Sequence, residues 1–316
     1  MLVDALTLQA GHNATVVVVG TALFGLVAGA IGAFVVLRGR ALIADAAAHA
    51  TLPGVAGAFL ASAALGWDPR SLPVLLAGAA LAATLAVLAV DALAAGGRVK
   101  DDAAMALVLA VGFGLGMVLL SVVQGLSGGG QAGLKGFILG QAAGLRARDA
   151  LVIAALALVA LGLLALLFRP FALLCFDPAF AATVGLPVRT LDRALLALML
   201  AVAVIGLGAV GALMVVGLMV IPAATARLLA GQLAAMVVLS GLIGTASAWV
   251  GAALSAARPG LPTGATIVLV ASALFALALL AAPQRGLIAQ ALRRGAAGRA
   301  ARRSGPLGQA AAGQGR

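Results

Sequence analysis

Long apolar stretches alternate with short polar breaks along the whole of this chain. An apolar run of about 20 residues crosses a bilayer as a helix. Nine such runs can be read, at roughly 14–37, 42–66, 71–94, 103–123, 150–168, 193–209, 211–229, 233–256 and 264–282. The stretch 193–229 has two readings. It is either two short spans turning at Gly206, Gly208 or Gly211, or one helix followed by a broken one, so eight spans is the alternative count. Both counts predict an all-α, polytopic transmembrane bundle.

The basic residues give the bundle a direction. With the N-terminus outside, the inner loops carry Arg38 and Arg40; Arg98 and Lys100; Arg169, Arg189 and Arg193; Arg227; and the arginines from 285 onward. The outer side keeps only Arg70, Lys135, Arg146, Arg148 and Arg258. Positive charge accumulates on the cytoplasmic side, so an outside N-terminus and a cytoplasmic C-terminus are expected. That distribution also explains the net charge of +11 without nucleic acid. Residues 1–285 read as one transmembrane domain and 286–316, rich in Arg, Gly and Ala, as a disordered basic tail. Residues 1–15 carry Asp4 and no basic cluster, so no cleavable signal peptide is expected.

Composition narrows the chemistry. Hydrophobic residues make up 64% and charged residues 9%, with a mean hydropathy of +1.21. A soluble domain is about a quarter charged, so lipid is the bulk solvent here. The single cysteine, Cys175, excludes a disulfide framework and an all-cysteine metal site. Neither lysine sits in a GxxxxGK[ST] pattern, so ATP-driven transport would need a separate ATPase chain.

Ionisable residues within spans are costly and are functional candidates. Asp45 and His49 stand four apart in the second run, on one helical face. A carboxylate and an imidazole one turn apart can share a divalent ion, and their oxygen and nitrogen donors suit Mn, Fe or Zn. A second copy of the helix would raise the donor set to two Asp and two His. The same spacing equally suits a hydrogen bond bracing the helix start. Arg40 lies only five residues earlier, which places Asp45 in the cytoplasmic half of the span by simple counting. Pro53-Gly54 is expected to kink that helix and free a carbonyl, and Pro222 to kink a later one, with Thr225 at hand to satisfy backbone. Asp101 and Asp102 read as interfacial acids opening a helix, and His12 as a surface residue.

The inner stretch 169–193 carries a different signal. Asp177-Pro178 is a helix start, and Gly185 and Pro187 are a stop. They frame a two-turn helix over 178–184 that bears Phe180 and Val184. It reads as a docking knob for another protein, or as a helix resting on headgroups.

Taken in order, these segments resemble the membrane permeases of ATP-binding-cassette importers for manganese, zinc and iron. The resemblance covers about 16–285. It rests on Arg40-Ala-Leu-Ile-Ala-Asp-Ala-Ala-Ala-His-Ala-Thr-Leu-Pro-Gly54, on Arg98-Val-Lys-Asp-Asp-Ala103, on Phe176-Asp-Pro-Ala-Phe-Ala-Ala-Thr-Val-Gly-Leu-Pro187, on 210–227 and on Leu261-Pro-Thr-Gly-Ala-Thr-Ile267. Asp101 stands where the family commonly has Glu. The resemblance implies that Asp45 and His49 lie on the metal pathway. It implies that Asp177, Pro178, Phe180, Gly185, Leu186 and Pro187 belong to the ATPase-coupling loop. It also implies a second permease copy or a sister permease, two cytoplasmic ATPase subunits, an extracytoplasmic metal-binding protein and a bacterial cytoplasmic membrane. Gly133–Ala143 looks more like manganese or iron members than zinc members.

Other functions fit less of the sequence. A proton-coupled secondary metal transporter would use Asp45 and His49 as a relay but has no need of a docking helix. An ABC permease for a metal chelate or a vitamin would not require a ligating DxxxH. An intramembrane hydrolase needs a catalytic set, and no HExxH, GxSxG or paired catalytic Asp occurs in the spans.

Overall fold

Every apolar run read from the sequence forms a helix in the computed structural model, which describes residues 2–282 apart from 10, 70, 96, 98, 126–143 and 259. The elements are α1 (Leu2–Leu6), α2 (His12–Leu37), α3 (Ala41–Ala64), α4 (Leu72–Ala95), α5 (Asp101–Gly125), α6 (Ala147–Leu166), α7 (Phe168–Phe176), α8 (Pro178–Thr183), α9 (Val188–Val210), α10 (Ala212–Leu229), α11 (Leu233–Ala257) and α12 (Thr263–Ala281). The described residues contain no strand. Arg98, the segment 133–143 and the basic tail lie outside the described residues.

Eight of these helices are long and apolar enough to span a membrane, and Leu213–Leu229 forms a ninth, shorter apolar segment. The ambiguous stretch 193–229 is therefore two helices. They meet at Gly211, whose φ of +91° suits glycine and interrupts the helical hydrogen bonding. Gly206 does not turn the chain. It sits inside α9, where a Cβ would strike Phe24. Two short helices had no sequence forecast: α1, and α7 just before the expected docking helix.

The bundle has two groups. Helix α2 is the hub of the first, packed against α6, α10 and α11, with α12 lying on α10 and α11; α3, α4 and α5 form the second; α9 touches both. Lipid tails are as apolar as leucine, so burying leucine against leucine gives little drive for helix association. Close backbone approach at small residues supplies it instead. On α2, Gly25, Gly29 and Gly32 fall on one face. A Cβ at Gly25 would collide with the Gly244 carbonyl, one at Gly29 with the Ser240 carbonyl, and one at Gly32 with that of Met219. The Ser240 hydroxyl donates to the Gly29 carbonyl at 2.6 Å across the same contact. Gly54 and Gly78 make the equivalent approach between α3 and α4.

The prolines expected to kink their helices lie inside them: α3 continues through Pro53 and α10 through Pro222. Thr225 donates to the Ile221 carbonyl at 2.7 Å rather than to that of Leu218, which loses its helical donor at Pro222.

The glycine contacts set a stability test. Gly29→Val should destabilise the purified protein by about 1–3 kcal/mol or prevent its folding, because neighbouring backbone cannot move aside cheaply. Gly162→Val, at a position with nothing within 4 Å, should leave the thermal midpoint unchanged in the same detergent.

Candidate functional site

Helix α3 brings Asp45 and His49 together. Its first turns are mostly alanine, and Ala46, Ala47, Ala48 and Ala50 are all buried. Small side chains let α3 lie close against its neighbours, with Ala50 against Gly112, and Leu52 with Pro53 against Gly116, all on α5. Asp45 and His49 are left on the more open side, each with about a third of its side chain exposed (33% and 32%).

The His49 Nε2 atom lies 3.4 Å from Asp45 Oδ1. That is long for a hydrogen bond. It is close to the separation of about 3.0 to 3.4 Å between two donors that each sit roughly 2.1 Å from one cation. His49 Nδ1 is buried and has no hydrogen-bond partner among the described residues. The imidazole packs edge-on against Phe113 of α5, with centroids 5.3 Å apart, which limits its rotation. Pro53 lacks an N–H, so the His49 carbonyl also loses its usual helical donor.

Among the described residues, no group of three or more His, Cys, Asp or Glu is placed to hold a metal ion. The pair is thus two side-chain donors and no more. Two apolar grooves of about 730 and 750 Å³ flank α4, and neither is lined by Asp45 or His49. The pair stands partly exposed, outside both grooves.

The forecast docking helix is α8, one residue shorter than expected. Asp177 caps it, accepting from the Phe180 N–H at 2.9 Å, and Pro178 occupies the first turn. Its end is a glycine turn: Gly185 has φ +85°, its N–H reaches the Ala182 carbonyl, and the Leu186 N–H reaches that of Ala181. Ala181 is buried, while Phe176, Phe180 and Val184 present apolar surface (67%, 52% and 59% exposed). Pro187 then caps α9.

Sequence reading missed Asp91 and Asp192. Asp192 accepts from Arg38 at 2.8 Å and from Arg40 at 3.1 Å, and Asp91 lies 4.0 Å from Arg40. Arg38 also donates to the Leu174 carbonyl at 3.1 Å. Arg38 was read as a topology marker, and Arg40 as that, as a depth marker for Asp45 and as the start of the second-helix motif. The usable signal was that Asp91 ends an apolar run, as Asp45 begins one. Cys175 sits beside this cluster. Burial chiefly pushes its thiol up to about 11; Asp192 adds to the rise and Arg38 opposes it. Asp101 and Asp102 are exposed in the first turn of α5, and His12 is exposed at the start of α2; none of the three is near Asp45 in a common cluster.

The cap gives a local test. Asp177→Ala should loosen α8 by about 1 kcal/mol, seen as several-fold faster amide exchange over 178–184. Asp177→Asn, which keeps an acceptor, should retain the native exchange pattern.

Comparison with known proteins gives a consistent picture. The profile of the ABC 3 transport family matches residues 12–282. A Bacillus subtilis (strain 168) protein, manganese transport system membrane protein MntC, is 40% identical over 291 residues, covering 92% of this chain and 66% of that protein. The chain thus spans slightly less than two thirds of that relative. Zinc transport system membrane protein TroC of Treponema pallidum (strain Nichols) is 38% identical over 279 residues, covering 88% and 92%. The solved structure of PsaBC from Streptococcus pneumoniae in complex with Fab matches with a TM-score of 0.76 at 28% identity, covering 90% of this chain and 98% of that one.

Proposed function

This chain belongs to the ABC 3 transport family, and on that premise we propose that it is the membrane-spanning permease subunit of an ATP-binding-cassette importer that moves divalent metal ions into the cytoplasm. The observation that carries the reading is the Asp45–His49 pair: two hard-to-intermediate donors at a cation-sharing distance, each partly exposed, with one imidazole nitrogen unmet. Two donors hold an ion weakly, which suits passage rather than storage. A second permease copy, or a sister permease, facing the same side would double the set at the contact between them. Pro53 and Pro222 serve as points where the spans flex during gating.

Residues 1–285 act as the transport domain. The N-terminus faces outward, and the end of α7 and the start of α9 face the cytoplasm of a bacterial cell. There Phe180 and Val184 of each permease copy dock one of two ATPase subunits, with Asp177, Pro178, Gly185, Leu186 and Pro187 fixing the shape of the docking element. Hydrolysis is the work of those partners, and this chain is no enzyme. An extracytoplasmic metal-binding protein delivers the ion. Manganese is the favoured cargo. Support comes from the name of the Bacillus relative and from the sequence of 133–143, although the Treponema relative is named for zinc.

Uptake into proteoliposomes holding the permease and its ATPase tests the site. The Asp45→Ala, His49→Ala double variant should still co-purify with the ATPase and lose roughly tenfold or more of its manganese uptake, the equivalent of about 1.4 kcal/mol. Unchanged uptake in the assembled variant would remove the metal role from this pair. Uptake that persisted without the ATPase would instead favour a proton-coupled carrier.

A further inference from the structure

The corner between α2 and α3 is short and rigid. Arg38 closes α2, Arg40 opens α3, and only Gly39, with φ +69°, separates them. Two backbone bonds lock the turn, from Gly39 N–H to the Val36 carbonyl and from Arg40 N–H to that of Val35, each at 3.1 Å. Both guanidinium groups point at one carboxylate. Asp192, in the second turn of α9, gives Oδ1 to Arg38 and Oδ2 to Arg40. A carboxylate with both oxygens held from two directions has little freedom to swing. These side chains are only about a fifth exposed (19%, 22% and 21%), so water competes weakly for them.

Arg38 also holds the Leu174 carbonyl, near the end of α7. Helices α7 and α9 are the segments on either side of α8. The exposed docking helix is thus suspended between two points fixed to one guanidinium. Little slack separates those points. Asp177 ends α7 and starts α8 in the same residue, and the glycine turn at 185 leads directly to Pro187 and α9. On the far side of the cluster, α3 runs from Arg40 straight to Asp45, five residues on and about 7.5 Å along the axis.

We propose that Arg38, Arg40 and Asp192 form the latch through which movement of α8 reaches the Asp45–His49 pair, and that they act as positioning residues for transport. This rests on the permease reading above and identifies the contact that links its two halves. Displacing α8 moves the start of α9. Asp192 then pulls or releases the α2–α3 corner, and α3 shifts or rotates with its donors. Asp91, 4.0 Å from Arg40, brings the end of α4 into the same cluster. An element able to take two arrangements and touched by both sites is the physical requirement for such coupling.

Cys175 provides the reporter. It is the only cysteine in the sequence, half-buried next to Leu174, and burial pushes its thiol up to about 11. Opening the latch would admit water to it and raise its reactivity.

The experiment uses the full permease–ATPase complex in proteoliposomes with manganese(II) as cargo. Manganese taken up per ATP hydrolysed, and the rate at which a maleimide labels Cys175, are both measured. Asp192→Asn should keep ATP hydrolysis while uptake per ATP falls about tenfold, a coupling energy in the range found for such contacts. Cys175 should label faster in that variant. Asp192→Glu should restore coupling, because it returns the charge. Arg38→Lys should not, because it loses the planar fork that reaches Asp192 and Leu174 together. Unchanged uptake per ATP in Asp192→Asn would overturn the latch. If that variant does not assemble, the wild-type complex decides: Cys175 labelling should differ between resting and ATP-cycling states, and identical rates would overturn the latch. Wild-type uptake that did not depend on ATP would sink the permease reading itself, a result distinct from either.

Discussion

Backbone packed on backbone at Gly25, Gly29 and Gly32 is the contact on which the bundle depends. Within a bilayer, each helix satisfies its own hydrogen bonds, and apolar side chains gain nothing by leaving lipid for one another. What remains to hold helices together is close approach and dispersion. The glycine face of α2 lets α10 and α11 come within backbone contact, and the Ser240 hydroxyl reaches across to a carbonyl there. Helix α6 packs on α2, α12 packs on α10 and α11, and α2 ends in the corner that leads into α3.

That geometry divides the molecule into a group packed backbone on backbone at glycines and a more accessible one. The first group has the largest buried side chains, among them Phe24, Ile31, Phe34 and Met214. The second, α3 to α5, presents much of α5 outward and carries Asp45 and His49 beside small residues. Such a place suits the weak, releasing ion site proposed for this pair. It is held in orientation by Phe113 yet is not enclosed. The two groups meet at α9 and at the charged cluster at the end of α2.

The scarcity of charge makes that cluster informative. A surface ion pair in water contributes little, and a reader of soluble proteins would pass over Arg38 and Arg40. In this chain nine carboxylates serve 316 residues, and one of them takes both arginines. The cluster does two things with the same residues. Its positive members follow the expected topology rule, and their pairing with Asp192 ties the segment between α7 and α9 to the start of α3.

The sequence by itself determined the helices and most of their limits, because lipid leaves no other backbone solution for an apolar run of that length. It also determined α8 and its ends, since Asp177, Pro178 and Gly185 act on their own neighbours through local hydrogen bonds and a positive φ. The i, i+4 relation of Asp45 and His49 followed from helical periodicity alone. Only the tertiary structure decided what is distant along the chain. It split 193–229 at Gly211, carried α3 intact past Pro53, and paired Arg38 and Arg40 with Asp192, more than 150 residues away. No periodicity encodes such a pairing. It arises because α2 and α9 are brought side by side by packing, and packing depends on which small residues happen to face each other across the bundle.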